Sequence, residues 1–156
     1  MRWGACLAAA LTMASFEAAQ AQSVADTIAD FGLIGTWATD CTQPASSGNF
    51  LTVYAIKPSG EVSLTYYGQS DHVYSNYKIT SAKRQAPDML SFEQVWDFEG
   101  SPANIAGDRV QVLLNMADNK FQIVSSKGSD GSFFVKDRKY QNSDDESPWQ
   151  LRCQGK

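Results

Sequence analysis

Two cysteines that bracket the folding part of the chain, Cys41 and Cys153, constrain its fold more than any other feature. The chain has three cysteines. Cys6 lies in an N-terminal segment that carries the marks of an export signal. Met1-Arg2 supplies one positive charge, Trp3 to Phe16 is uncharged and mostly apolar, and Ala19-Gln20-Ala21 offers the small-x-small pattern read by signal peptidase. The apolar run is shorter than the ~20 residues of a membrane span, and no later stretch comes close. The expected organisation is a signal peptide over 1–21, cleaved after Ala21, and one domain over 22–156 in the periplasm or outside the cell. Cys6 then leaves with the signal. In an oxidising compartment the remaining pair is expected to form one disulfide. Its Cα atoms must come within ~7 Å, so the first and last strands must be neighbours or nearly so. In an all-β chain that means closure.

The rest of the domain does alternate like an all-β chain. A short helix opens it: Ser23 is a suitable N-cap with Asp26 three residues on, and Val24, Ile28 and Phe31 follow at helical spacing. Gly32 is a natural stop. The period then changes to two, and strands are expected over 35–41, 50–57, 61–68, 72–82, 89–98, 108–116, 120–126, 132–140 and 149–154. Pro58-Ser59-Gly60, Asp118-Asn119 and Ser129-Asp130-Gly131 mark tight turns between them. Short strands joined by tight turns favour a meander, and the end-to-end disulfide favours its closure. The expected fold is therefore an all-β, antiparallel, up-and-down barrel of eight or nine strands, with an N-terminal capping helix and one disulfide.

Gly35-Thr36-Trp37, following that helix, resembles the opening of lipocalins and their barrel relatives. The resemblance implies that Trp37 packs at the closed end of the barrel, under an arginine from near the last strand, for which Arg152 and Arg138 are both candidates. The same triplet resembles the start of avidin-like barrels, whose site needs further tryptophans on later strands; Trp96 is a candidate for one, Trp149 sits beside the chain end, and the rest of that pattern is absent. It is also similar to small exported inhibitors of metalloproteases, whose bridge lies near the start of the chain. Exported bacterial proteins that open G-x-W-A-x-D-C and carry a late cysteine look more similar still, and they imply no function.

Catalytic chemistry finds little footing. His72 is the only histidine, so histidine-rich metal sites are excluded and any histidine triad must use it. Ser70, Asp71 and His72 are consecutive, and neighbours on a hairpin do not converge as a triad requires. The acidic stretch from Ser143 to Ser147 lacks the alternating spacing and glycine of a calcium loop, and is expected to be a solvated surface. No cofactor is implied, and the protein is not expected to be an enzyme. The net charge of −4 argues against nucleic acid and against a polybasic membrane surface.

Aromatic residues are the more suggestive group. Tyr66, Tyr67, Tyr74 and Tyr77 fall on the third and fourth strands, and Phe92, Trp96 and Phe98 on the fifth. A barrel of ~8 strands is wide enough either to fill itself or to hold one small ligand, and tyrosine combines an apolar face with a hydroxyl. The candidate ligand-binding residues are Tyr66, Tyr77, Phe92, Trp96 and Phe98, with 99–107 as the mouth loop. Trp37, Cys41 and Cys153 are expected to be structural. The expected function is binding of a small apolar or amphipathic molecule. The alternatives are a protein-interaction module, such as an inhibitor of a secreted protease, and a structural envelope protein.

Overall fold

A computed structural model of the chain describes residues 22–69, 72–97 and 108–154. The expected export signal, Phe98 and the expected mouth loop lie outside the described residues. Helix α1 spans Val24–Asp30, followed by β1 (Gly35–Ala38), β2 (Leu51–Ile56), β3 (Val62–Gln69), β4 (His72–Ala86) and β5 (Met89–Trp96). Then come β6 (Arg109–Ala117), β7 (Lys120–Gly128), β8 (Phe133–Lys136), β9 (Lys139–Tyr140) and β10 (Gln150–Cys153).

The helix begins and ends as its sequence dictates. The Ser23 hydroxyl oxygen accepts the Asp26 backbone N–H at 3.1 Å. At the other end Gly32 takes φ +82°, its N–H bonds to Ala29 O, and the Leu33 N–H bonds to Ile28 O. Those two bonds form a Schellman stop, which satisfies carbonyls the helix would leave bare. Ile28 and Leu33, on either side of the stop, are fully buried.

Strands β1 to β7 form an antiparallel meander, and β10 pairs with both β1 and β7. Eight strands thus close a barrel, which leaves no unpaired edge on the ring. The Cys41–Cys153 disulfide lies across the closing seam, with Cα atoms 5.3 Å apart. Strand β7 shares its second edge: Phe121 and Lys120 pair with β10, while Ser126 and Lys127 pair with β8. The β8–β9 hairpin is therefore an appendage to the ring. Register shifts on β3–β4, β4–β5 and β6–β7 mark bulges, which bend and twist strands as a small closed sheet requires.

Three expectations about strands change. The segment 132–140 is two strands, not one, because Asp137 and Arg138 both adopt positive φ and turn the chain without a glycine. Strand β4 runs on to Ala86, through two bulges that break its alternation. Strand β1 ends at Ala38, because the buried Asn49 side chain binds the loop that follows it. Its Oδ1 accepts from the Thr39 hydroxyl and the Asp40 N–H, and its Nδ2 donates to Asp40 O.

The half of the barrel beneath α1 is packed solid. Trp37, Tyr54, Leu64, Leu90, Leu114 and Phe121 are buried there with Ile28 and Leu33. Each such side chain contributes roughly 1.5–3 kcal/mol by leaving water. Edge-to-face contacts run from Trp37 to Phe121 at 5.0 Å, to Tyr54 at 6.1 Å and on to Phe92 at 6.3 Å. Trp37 Nε1 donates to Leu33 O at 2.8 Å, so the one polar atom of the ring is satisfied. Of the two arginines that the lipocalin resemblance offers, Arg152 is the one over Trp37, its guanidinium carbon 4.6 Å from the ring centroid. It also donates to Ile34 O and Gly32 O, tying the last strand to the chain between α1 and β1.

Candidate functional site

The distal half of the barrel, away from α1, has a different lining. Strand alternation puts Leu90, Phe92, Gln94 and Trp96 of β5 on the inner face. Gln94 lies opposite the core residue Ile79 and opposite Val110, and Trp96 lies opposite Tyr77. Tyr77 is in turn opposite Leu64, and Tyr66 is opposite both Thr52 and Ser75. The rings of Tyr66 and Tyr77 meet edge to face at 5.9 Å, and those of Tyr77 and Trp96 lie tilted at 6.1 Å. Three aromatic residues from β3, β4 and β5 thereby make a continuous inner wall.

Polar groups are set into that wall. Thr52, Ser75 and Gln94 are all buried. Burial pushes the Tyr66 hydroxyl well above its ordinary pKa, and the neighbouring Tyr77 and Tyr140 hydroxyls push the same way. Tyr77 is also raised by burial, against the opposing effect of a hydrogen bond with Ser75. Both phenols are therefore neutral hydrogen-bonding groups at physiological pH. Among the described residues, three buried side-chain atoms have no hydrogen-bond partner: Gln94 Oε1, Trp96 Nε1 and Gln150 Oε1. Two of them belong to adjacent inward positions on β5. The third lies on β10, opposite Phe121. Leaving such an atom unpaired costs about 1–3 kcal/mol, so three of them in one barrel interior require a reason.

The structure brings Tyr66, Tyr77 and Trp96 together. Phe92 lies deeper, 4% exposed and packed against Tyr54, where it belongs to the solid half and forms the floor of the wall. Phe98 is outside the described residues, as are Ser70 and Asp71. The His72 side chain is exposed at the distal end. Sequence reasoning passed over Gln94, Thr52 and Ser75. The available signal was a glutamine between Phe92 and Trp96 on a face otherwise apolar, since a polar residue at a core position is more informative than an apolar one.

The chain matches no family model, no curated protein and no solved structure, so a functional reading rests on its own residues. No helix among the described residues is long and apolar enough to cross a membrane.

Proposed function

We propose that this is an exported binding protein that holds one small amphipathic molecule in the distal half of the barrel. The molecule's apolar body lies against Tyr66, Tyr77 and Trp96, and its polar part is directed at the buried amide and indole groups between them. The observation that carries this reading is the aromatic wall with hydrogen-bonding atoms that no protein group satisfies. Ligand pockets are built from that combination of apolar lining and a few convergent polar groups. Export is supported by the segment Met1-Arg2 to Ala21, and a disulfide across the closing seam suits an oxidising compartment.

The test is native mass spectrometry of the protein isolated from the periplasm, followed by solvent extraction. A stoichiometric adduct, released on denaturation, is the expected result and identifies the cargo class. A bare mass, with no change in melting temperature on adding a panel of small aromatic and aliphatic compounds, overturns the reading.

A further inference from the structure

We propose that the outer face of the barrel carries a docking site of its own, a groove across β4 to β8 that takes an extended acidic segment of a partner protein. It is separate from the distal interior and does not depend on what that interior holds.

The groove has a volume of about 470 Å³ and opens to solvent. Gln85 and Ala86 of β4 line it at one side and Phe133 of β8 at the other, with Met89 of β5 and Leu113 of β6 between them. Register fixes the order of residues across it. Lys83 lies opposite Ser91, Ser91 opposite Leu113, and Leu113 opposite Ser125. Partners in an antiparallel ladder share a face, so this row crosses the outer surface, between the inward rows that carry Leu90, Phe92, Val112 and Leu114. Neighbouring strands are ~4.8 Å apart, so the row from Lys83 to Ser125 spans roughly 14 Å, the length of about four extended residues.

Charge says what lies along that row. Lys127 faces Phe133 across β7 and β8, and the Lys127 and Lys136 ammoniums both sit over the Phe133 ring, 5.4 and 5.6 Å from its centroid. Lys83 stands at the β4 side. Among the described residues the ion pairs use other cations, so none of these three is joined to a carboxylate. Glu93, whose side chain shares the groove face opposite Gln111, is already held by Arg109 and by the Thr80 hydroxyl. In a chain of net charge −4, the groove thus has cations at both sides and an apolar floor between them. Two like charges brought to one ring repel each other, and a carboxylate beside them relieves that repulsion. The complement is a segment with one or two apolar residues flanked by acidic ones. Its apolar side chains pack on Leu113 and the adaptable Met89, and its main chain meets the Ser91, Gln111 and Ser125 side chains. A flat anionic bilayer would reach the lysines but not the floor of a groove.

Fluorescein-labelled EELLLEE is the probe, with QQLLLQQ and EEGSGEE as its uncharged and apolar-free counterparts. Binding to the full exported protein is read by fluorescence anisotropy. EELLLEE is expected to bind saturably at low salt and each counterpart about tenfold more weakly, the charge share being that of a few surface ion pairs. Salt at about 0.5 M should erase most of the preference for EELLLEE over QQLLLQQ. The double variant Lys127→Gln, Lys136→Gln should bind EELLLEE about threefold to tenfold more weakly. Leu113→Ser should lose the preference for EELLLEE over EEGSGEE. Arg138→Gln, which removes an exposed cation from the same hairpin but outside the groove, should bind as the wild type does. Melting temperatures near that of the wild type establish that each variant is folded. Absence of saturable binding, equal binding of EELLLEE and QQLLLQQ, or unchanged affinity in both groove variants overturns the proposal. So does tighter binding to phosphatidylglycerol vesicles than to peptide, which gives the groove to a membrane. A dimer in sedimentation that Leu113→Ser dissociates overturns it as well, because the occupant is then a second copy of the chain.

Discussion

Reducing the disulfide should remove a large part of the stability of the domain, and the size of the loss follows from the length of chain it encloses. Cys41 and Cys153 are 112 residues apart in sequence. In the chain-entropy relation a loop of that length restricts the unfolded chain by about 16 cal/mol/K, or about 4.8 kcal/mol at 25 °C. The native side contributes little to offset this, because the strands already place the two ends together: Thr36 of β1 lies directly opposite Cys153 of β10. The effect should therefore reside in the unfolded state. Domains of this kind are stable by only about 5–15 kcal/mol, so the reduced protein should be folded but close to marginal. The cleanest assay compares guanidinium unfolding of the oxidised and dithiothreitol-reduced wild type. No side chain is then replaced, and the buried position of Cys153 is not altered. The expected loss is about 3–5 kcal/mol, with a larger denaturant slope because the open unfolded chain exposes more surface. A loss under about 1 kcal/mol with an unchanged slope would refute the reasoning, since it would mean the unfolded chain keeps its ends together without the bond.

Arg152→Met keeps an apolar stem over Trp37 but loses the bonds to Ile34 O and Gly32 O; it should cost about 2–4 kcal/mol in chemical denaturation. Arg152→Lys should not recover the loss, because an ammonium cannot both stack and fork, and a lysine variant as stable as wild type would refute that account. Gly35→Ala should cost about 1–3 kcal/mol, since Gly35 has φ +136° and an added Cβ would lie 3.3 Å from the guanidinium Nη1. In the Arg152→Met background that cost should shrink but persist, and strict additivity would show that the two residues do not touch. Alkali should unfold the domain. Tyr54 and Tyr66 are both raised by burial, so the stability they confer is fully present below the ordinary tyrosine value near pH ~10. Above it the unfolded chain releases protons first, and stability falls by about 1.4 kcal/mol per pH unit for each tyrosine until the folded hydroxyls titrate. Part of the tyrosinate absorbance should therefore appear only together with loss of structure, and a titration completed ahead of unfolding would refute it.

Much of the architecture was legible because the relevant signals are local. Ser23 and Gly32 delimit the helix by hydrogen bonds that a short stretch can make for itself. Asp118-Asn119 forms its hairpin because both residues tolerate positive φ, here +50° and +59°. The cysteine pair carried the one long-range fact, closure. What escaped was set by tertiary contact. Asp137-Arg138 adopts the same kind of turn with a residue pair that carries no such signature. The extension of β4 to Ala86 runs through Lys83, Arg84 and Gln85, which look like a polar loop until Arg84 is seen over the Phe31 ring, 5.4 Å from its centroid. The lipocalin resemblance left Arg152 and Arg138 both as candidates. Only the pairing of Trp37 with Arg152 across β1 and β10 distinguishes them.

The site was harder to read because its defining property belongs to no single strand. Along the inner face from the capped end to the distal end, β2 passes from Tyr54 to Thr52, and β3 from Leu64 to Tyr66. On β4 the inner face passes from Ile79 to Tyr77 and Ser75, on β5 from Phe92 to Gln94 and Trp96, and on β7 from Phe121 to Ser126. Each change, taken alone, is an ordinary variation of a strand sequence. Aligned by register, the changes fall together on β2, β3, β4, β5 and β7, where hydroxyls, phenols and an amide follow large apolar side chains, while β6 stays aliphatic from Leu114 through Val112 to Val110. A barrel filled only for stability would continue its aliphatic packing on those strands too, since every buried polar atom adds a desolvation cost that leucine does not. Two successive inward-facing residues of β5, Gln94 and Trp96, instead hold atoms that the protein does not satisfy. The capped half, with its disulfide seam and its Trp37–Arg152 stack, supplies the stability that lets the distal half carry that cost.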